Sequence, residues 1–279
     1  MGRVSLYSVL LLLVILDFSR AFAAGPHLDI CPGLLANLAD KHLQSEFTNQ
    51  SRYPSVYDQV LELFAPHREL RKMHSAAMPR GNVRIIDAGG GTGLLTRHLL
   101  QDDPQRHIEI FDLSNEMTTV ARDKGVNSQN IHVSSITNLV RSDGSPVLNG
   151  SIDGVMTNNV IYILSRQQIG EFFAEARRVL RLGGRLSVSS MRTVPRPTMD
   201  SFLHSLKSDV AKMEAEGLVP AGSSNIFFNT NVNLTRNSPT TFTNEEIVAI
   251  ARSYGFRPIL ENGLAYQGTA FFVSFEKEN

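Results

Sequence analysis

The sequence predicts an α/β protein built on a mostly parallel β-sheet. Short apolar segments alternate with stretches in which apolar residues recur every three or four positions, a pattern typical of strands alternating with amphipathic helices. A glycine-rich turn at Gly89–Gly93 directly follows the first apolar segment. Near the carboxyl terminus, two apolar runs are joined through Gln267 and Gly268 without an intervening helix, so we expect them to pair antiparallel. In such sheets the ligand binds at the carboxyl ends of the parallel strands.

The composition supports a packed domain and argues against two classes of ligand. Hydrophobic residues make up 42% of the 279 residues and charged residues 19%, so the chain can form a core. Lys and Arg together number 27, as do Asp and Glu, and no basic stripe is evident, so we expect no nucleic-acid partner. The chain has one cysteine, Cys31, and no Cys/His pattern that would indicate a metal site.

Residues 1–23 are predicted to be a targeting segment outside the folded domain. The basic Arg3 precedes an apolar run from Val4 to Leu16, and Ala-Phe-Ala at 21–23 fits a signal-peptidase site. The run is shorter than the about 20 residues that a transmembrane helix needs. We expect this signal peptide to direct the chain into the secretory pathway or, if it stays uncleaved, to be its one membrane anchor. A two-part presequence that leads into a plastid is a further alternative.

The rest of the chain divides into an N-terminal cap, residues 24–80, and the sheet-containing domain, residues 81–279. The strands are expected at 83–86, 108–111, 131–133, 152–156, 185–188, 259–260 and 270–275. The helices are expected at 54–64, 67–78 and 94–100, and after Ser114, Ser165 and Thr243. The last two helices begin with capping boxes, in which a Ser or Thr is followed three residues later by Gln168 or Glu246.

An insertion of unusual length, about 191–243, separates the fifth strand from the last helix. Its first part has apolar side chains on one helical face from Met199 to Met213. The remainder contains Phe227 and Phe228 in a stretch rich in Asn, Ser and Thr, which we expect to be flexible. Connections of this length in a compact domain are usually lids or binding loops, so we predict a helical lid over the ligand.

The glycine turn has the spacing Asp-x-Gly-x-Gly-x-Gly, formed by Asp87, Gly89, Gly91 and Gly93. The dinucleotide fingerprint G-x-G-x-x-G fits neither from Gly89 nor from Gly91, which disfavours an NAD-dependent oxidoreductase. Glycines allow the backbone to approach a ligand closely, and the following helix offers free N–H groups to a carboxylate. Asp112 ends the second strand, where a carboxylate can accept hydrogen bonds from both hydroxyls of a ribose.

These motifs resemble those of the class I, Rossmann-like S-adenosylmethionine-dependent methyltransferases, and in particular the small-molecule type. Three further segments match the family in the correct order: Phe111–Ser114, Asn149–Asp153 and Glu175–Gly184. The resemblance covers about Tyr53 to Val188 and the tail. It implies a seven-stranded sheet with an antiparallel last strand, helices on both faces, and S-adenosyl-L-methionine as the cofactor.

The resemblance also implies roles for individual residues. The implied cofactor-binding residues are Asp87, Gly89, Gly91, Gly93, Asp112, Leu113, Ser135 and Asn158. Ser135 stands where the family often has an acid that binds the adenine amino group, so weaker adenine recognition is implied. Asn159 is placed toward the substrate, and Tyr162 is the second candidate catalytic residue. Tyr53 and Tyr57 in the cap are further candidates for lining the pocket.

The predicted activity is in-line methyl transfer to a small, partly apolar acceptor molecule. The alternative is a non-catalytic domain of the same fold that binds the cofactor or a partner. An aminopropyl transferase is disfavoured because Asn158 and Asn159 stand where that reaction needs paired acids. The segment 157–159 also lacks the Asn-Pro-Pro-Tyr pattern of amide and DNA amino methylation.

Overall fold

The computed structural model describes residues 52–236 and 240–279. The predicted targeting segment, residues 1–23, and the start of the predicted cap, residues 24–51, lie outside the described residues. Across the part of the chain that the structure describes, no helix is both long and apolar enough to cross a membrane.

A seven-stranded sheet forms the centre of the fold. Its strands are β1 (Arg84–Ala88), β2 (His107–Asp112), β3 (Ile131–Val133), β4 (Ile152–Asn158), β5 (Leu180–Met191), β6 (Phe256–Ala265) and β7 (Ala270–Lys277). In space they follow the order β3-β2-β1-β4-β5-β7-β6. The pairs among β1 to β5 are parallel, whereas β7 runs antiparallel to β5 and β6. The predicted sheet and its antiparallel last strand are therefore confirmed.

The strand order turns back at β1, because β2 and β3 extend the sheet on one side of β1 and β4 and β5 extend it on the other. The loops after β1 and β4 therefore leave in opposite directions and open a cleft at their carboxyl ends. β4 continues two residues beyond the predicted end and stops at Asn158. Asn158 and Asn159 consequently stand at this edge of the sheet, next to the glycine turn that follows β1.

The described residues include eight α-helices. They are α1 (Tyr53–Leu63), α2 (Ala65–Ala77), α3 (Leu94–Asp102), α4 (Asn115–Asp123), α5 (Arg166–Val179), α6 (Arg196–Ala215), α7 (Ser223–Arg236) and α8 (Asn244–Ser253). Both predicted capping boxes are present, with Ser165 and Gln168 at the start of α5 and Thr243 and Glu246 at the start of α8. The main core lies between the sheet and these two helices, where Phe173 is fully buried.

A second core joins the cap to the insertion. It contains Val60 of α1, Leu206 of α6 and Phe227 of α7, packed with Ala270 and Phe272 at the start of β7. Because β7 is antiparallel to β5, its first residue pairs with Met191, the last residue of β5. The second core therefore covers the carboxyl edge of the sheet, where the ligand cleft lies.

The prediction of a flexible stretch after α6 is wrong, because residues 223–236 form α7. Asn, Ser and Thr are weak helix formers, but tertiary packing outweighs that preference when one helix face is buried. Ser223, Phe227 and Thr230 are spaced to form such a face, and all three are buried. The insertion is thus a pair of packed helices rather than a helix followed by a loose loop.

Candidate active site

The glycine turn joins β1 to α3 at the carboxyl edge of the sheet. Gly89, Gly91 and Gly93 have φ angles of 74°, 51° and 70°, a region that residues with a side chain rarely adopt. A Cβ atom on Gly91 would lie 3.9 Å from Oδ2 of Asp112 and 3.3 Å from Cε of Met117. The lack of a side chain at position 91 therefore keeps the space between the turn and Asp112 open.

Asp112 ties the turn to the end of β2. Its Oδ2 accepts a hydrogen bond of 2.9 Å from the Gly91 N–H, and its Oδ1 accepts one of 2.8 Å from the Ser114 N–H. Burial raises the pKa of Asp112 above its ordinary value, although these two hydrogen bonds oppose that effect. A carboxylate oxygen has two lone pairs, so each oxygen can accept one more hydrogen bond from a ligand.

Two exposed apolar side chains flank Asp112. Leu113 is 45% exposed, and Val133, the β3 partner of Asp112, is 47% exposed. Such a surface suits a flat aromatic base, because its apolar faces are removed from water on contact. Ser135 lies beyond Val133, and its Oγ is 2.9 Å from Oγ1 of Thr137. The cofactor-binding role of Leu113 and the adenine-binding role of Ser135 stay predictions.

Asp87 is buried beneath the turn. Its Oδ2 accepts a hydrogen bond of 2.7 Å from Oγ1 of Thr96, which links the end of β1 to α3. Burial raises the pKa of Asp87 to about 7, and the neighbouring Asp112 charge contributes to the increase. A positively charged group of a ligand in the cleft, such as an ammonium, would favour the ionised carboxylate.

Asn158 belongs to a buried hydrogen-bond chain behind the cleft. Its Nδ2 donates to Nε2 of His67 over 3.2 Å, and its Oδ1 accepts from Oγ of Ser189 over 2.9 Å. Further hydrogen bonds join Oγ of Ser189 to Nε2 of His74 at 2.8 Å, and Nδ1 of His74 to Oγ of Ser187 at 2.7 Å. This network fixes the carboxamide of Asn158, and its predicted contact with the methionine part of the cofactor stays a prediction.

A cavity lies between the cap, the insertion and the sheet edge. Its lining residues are Tyr57 and Leu61 of α1, Phe64 between α1 and α2, Phe202, Leu203 and Leu206 of α6, Phe227 and Asn231 of α7, and Asn159, Tyr162, Met191 and Tyr266 at the sheet edge. None of these side chains carries a formal charge, and apart from the two asparagines they are aromatic or aliphatic. The structure therefore places both candidate catalytic residues, Asn159 and Tyr162, in one apolar enclosure.

Tyr57 lies in the cavity wall where α1 meets α7. Burial above all, then the neighbouring phenols of Tyr53, Tyr266 and Tyr162 and the charge of Asp112, hold the pKa of Tyr57 well above its ordinary value. Its ring stacks on Phe227 with a centroid distance of 6.2 Å, so α1 and α7 meet at this residue. Of the two cap tyrosines predicted to line the pocket, Tyr57 lines it and Tyr53 packs behind it, with ring centroids 5.6 Å apart.

A buried ion pair holds α1 over the glycine turn. The Asp58 carboxylate is completely buried and lies 3.0 Å from Nη2 of Arg97 on α3 and 3.3 Å from Nζ of Lys124 after α4. Arg97 also donates a hydrogen bond of 2.7 Å to the carbonyl oxygen of Thr92 within the turn. The cap is thus fastened to the two helices that border the cofactor cleft.

Several of these residues carry no signal in the sequence. Asp58 and Arg97 are ordinary charges on predicted helices, and their pairing depends on how α1 crosses α3. His67 and His74 lie one above the other on α2 because they are seven residues apart, yet nothing in the sequence shows which strand they face. Tyr266 precedes the predicted hairpin turn, and only the hairpin geometry directs its ring into the cavity.

S-adenosylmethionine fits the arrangement of groups in the cleft. Gly91 lets the backbone of the turn come close to Asp112 and would let a ligand approach the turn closely. Asp112 would accept the ribose hydroxyls, and Asp87 and the free N–H groups at the start of α3 would receive the ammonium and carboxylate of the methionine part.

We expect Asp112→Ala to weaken S-adenosylmethionine binding by about 2 kcal/mol or more, because the ribose loses a charged acceptor and Gly91 loses its hydrogen bond. Asp112→Asn, which keeps one carbonyl oxygen, should lie between the wild type and the alanine variant. Isothermal titration calorimetry measures the change. Asp123→Ala, on the exposed end of α4, is the matched control. Unchanged affinity in a folded Asp112→Ala protein would remove Asp112 from the site.

Comparison with known proteins agrees with this site. Residues 85–184, which contain the glycine turn, Asp112 and the asparagine pair, match the model of a methyltransferase-domain family. Among curated proteins, the chain is 37% identical over 109 residues to a malonyl-(acyl-carrier protein) O-methyltransferase of Hahella chejuensis, covering 39% of this chain and 37% of that protein. It is 29% identical over 160 residues to a ubiquinone/menaquinone biosynthesis C-methyltransferase of Dinoroseobacter shibae, covering 56% of this chain and 61% of that protein. The matches thus span less than two thirds of these relatives.

Among solved structures, the fold is similar to the 1,6-didemethyltoxoflavin-N1-methyltransferase of Burkholderia thailandensis. The TM-score is 0.56 at 15% sequence identity, and the match covers 92% of this chain and 94% of that one. Residues 85–184 therefore match a methyltransferase domain, and the seven-stranded sheet with its antiparallel last strand is the fold of the class I, Rossmann-like S-adenosylmethionine-dependent methyltransferases.

Proposed function

We propose that this protein transfers a methyl group from S-adenosylmethionine to a small, partly apolar and uncharged acceptor bound in the cavity. The observation that carries the proposal is the position of the cavity, which has no charged lining residue and is lined by Asn159 directly after β4, the strand next to β1 and its glycine turn. The relative from Dinoroseobacter shibae, which is named for quinone biosynthesis, supports a small methyl acceptor.

The residues around the cleft would act by binding and alignment. When bound, the cofactor supplies a methyl group already activated on a sulfonium centre, so the protein need not create a strong electrophile. Asp112 and the glycine turn would hold one end of the reacting pair, while the cavity wall would hold the acceptor and keep water away. Correct alignment in a dry site can account for most of the acceleration of a displacement reaction.

The cavity must widen to take such an acceptor. Its volume is about 50 Å³, whereas pockets for small molecules usually measure about 300–1,000 Å³. The walls formed by α6 and α7 belong to the insertion between β5 and α8, and we propose that these two helices move to widen the cavity. Lids of this kind admit the substrate, close, and exclude water during the reaction.

An acceptor screen with the full chain tests the proposal. The panel contains phenols, quinols, heteroaromatic amines and short acyl thioesters, together with folded proteins and RNA, and mass spectrometry detects the methylated product. We expect methylation among the small, uncharged compounds. Activity only on a protein or RNA would contradict the proposed acceptor, and calorimetric binding of S-adenosylmethionine without any product would favour the non-catalytic alternative.

Once an acceptor is found, we expect Leu206→Asn to lower kcat/KM for it at least about tenfold without changing cofactor affinity. The reason is that a polar amide in the apolar wall disfavours an apolar acceptor. Leu264→Asn, on the exposed face of β6, is the matched control. Circular dichroism confirms that both variants fold. An equal loss of cofactor affinity in Leu206→Asn would show that this wall is not specific to the acceptor.

A further inference from the structure

The cavity wall contains a buried hydrogen-bond acceptor without a partner. Asn159 lines the cavity, and its Oδ1 is buried and receives no hydrogen bond from any described residue. Most buried polar atoms in folded proteins are paired, because an unpaired one loses its bonds to water without replacement. A bound molecule that donates a hydrogen bond to Oδ1 would remove this cost.

The backbone of Asn159 holds this carboxamide in a strained conformation. Asn159 has a φ of 57°, a left-handed conformation that is uncommon outside glycine. Its N–H donates a hydrogen bond of 2.9 Å to the carbonyl oxygen of Ser189 on β5, which fixes the residue to the sheet edge. Strained residues of this kind are concentrated at functional sites, where the surrounding structure maintains the strain.

Tyr266 fixes the other end of the carboxamide. Nδ2 of Asn159 donates a hydrogen bond of 3.0 Å to the Tyr266 hydroxyl. The Tyr266 ring is almost fully buried and lies between His67 and Phe202, with centroid distances of 6.3 Å and 5.9 Å and near-parallel planes. Tyr266 itself has a φ of 49°, so both partners of the hydrogen bond are held in left-handed backbone conformations.

From this geometry we infer that the methyl acceptor carries an uncharged hydroxyl or N–H group that donates a hydrogen bond to Oδ1 of Asn159, and that Tyr266 is the positioning residue that orients the carboxamide. The inference rests on the proposed function, since it concerns what occupies the same cavity. An asparagine takes up no proton, and the cavity lining contains no carboxylate or imidazole. The pair therefore selects and orients the acceptor rather than deprotonating it.

An unpaired acceptor such as Oδ1 of Asn159 favours a ligand with a hydrogen-bond donor over a ligand of the same shape without one. A molecule of the same shape without the donor leaves Oδ1 buried and unpaired, whereas an apolar wall alone would prefer that molecule. A preference for the ligand with the donor would therefore come from Asn159, whereas a preference for the ligand without it would come from the apolar wall. Phenol and toluene are a suitable pair of probes, because they have nearly the same size and differ in a single O–H donor.

The test compares the affinities of phenol and toluene for the full chain by ligand-observed NMR in the presence of S-adenosylhomocysteine. We expect the wild type to bind phenol at least tenfold more tightly than toluene. Asn159→Gly removes the carboxamide and suits the positive φ, so the fold should be preserved and the preference lost. Asn159→Asp, which keeps an acceptor oxygen, should retain the preference. Tyr266→Phe should reduce the preference without abolishing binding.

Asn229→Leu, on the exposed face of α7, is the control that should leave both affinities unchanged. An equal ratio of phenol to toluene affinity in the wild type and Asn159→Gly, or no binding of either probe to the wild type, would overturn the inference.

Failure of the proposed function gives a different result. Probe selectivity that depends on Asn159, with no methylated product from any acceptor, would reject the activity and retain the site. Methylation without that dependence would retain the activity and reject the pair.

Discussion

Gly91→Val is expected to lower the affinity for S-adenosylmethionine by at least about 100-fold, which corresponds to about 2.7 kcal/mol. Position 91 has a φ of 51°, which is unfavourable for a β-branched residue, and its N–H donates to Oδ2 of Asp112. The new side chain would either occupy the space that faces Asp112 or turn the backbone and break that hydrogen bond. Both outcomes disrupt the cleft, whereas the sheet and its two cores do not depend on this position.

The measurement is calorimetric titration of the variant with S-adenosylmethionine, alongside circular dichroism to verify the fold. Gly144→Val is the matched control, because Gly144 also has a positive φ, 84°, and a Cβ atom there would meet no atom within 4 Å. This control carries a similar backbone strain at a site far along the chain from the turn. If Gly91→Val binds the cofactor normally, the glycine pattern serves only the turn.

The second large effect concerns acid stability and comes from the two buried histidines of α2. Burial lowers the pKa of His67 to about 3, with smaller contributions from Arg71 and His74, and burial alone lowers the pKa of His74 to about 3. In the unfolded chain both should titrate near pH 6.5. At pH 5 the unfolded state therefore binds about one proton per histidine that the native state does not bind.

The extra protons bound by the unfolded state lower the stability of the native state progressively as the pH falls from about 6.5 toward 3, and they have no effect well above pH 6.5. Between pH 7 and pH 5 each histidine is expected to lower the free energy of unfolding by about 2 kcal/mol. Asp87 acts in the opposite sense, because its raised pKa of about 7 lets the native state bind a proton over the same interval. The net pH dependence of the wild type is therefore smaller than the sum of the two histidine effects.

A variant isolates one histidine. We expect the loss of unfolding free energy between pH 7 and pH 5, measured with urea, to be about 2 kcal/mol smaller in His74→Gln than in the wild type. His204→Gln, on the exposed face of α6, should retain the wild-type pH dependence. Identical pH profiles for the wild type and His74→Gln would show that His74 does not remain neutral in the folded protein.

The sequence alone predicted the elements whose signals are local. The apolar runs and capping boxes indicated each strand and most helices, because periodicity and cap chemistry depend on neighbouring residues. The glycine spacing and Asp112 indicated the cofactor site, since both stand at strand ends and the topology of a parallel sheet brings strand ends together. The helix at 223–236 was missed because its residues have weak helix preference and become helical through burial against α1 and α6.

What only the tertiary structure decided is the cavity that we propose for the acceptor. The cavity draws its lining from six separated segments, and Tyr266 meets Asn159 across 107 positions of the chain. The Asp58–Arg97 pair and the histidine network likewise join side chains that are distant in sequence. Such contacts depend on helix crossing, hairpin geometry and the packing of the second core, which no local pattern encodes. By itself, the sequence determined the sheet and the cleft predicted for the cofactor, because both follow from strand order and turn chemistry. The packing of cap and insertion over the sheet edge determined the shape and polarity of the cavity.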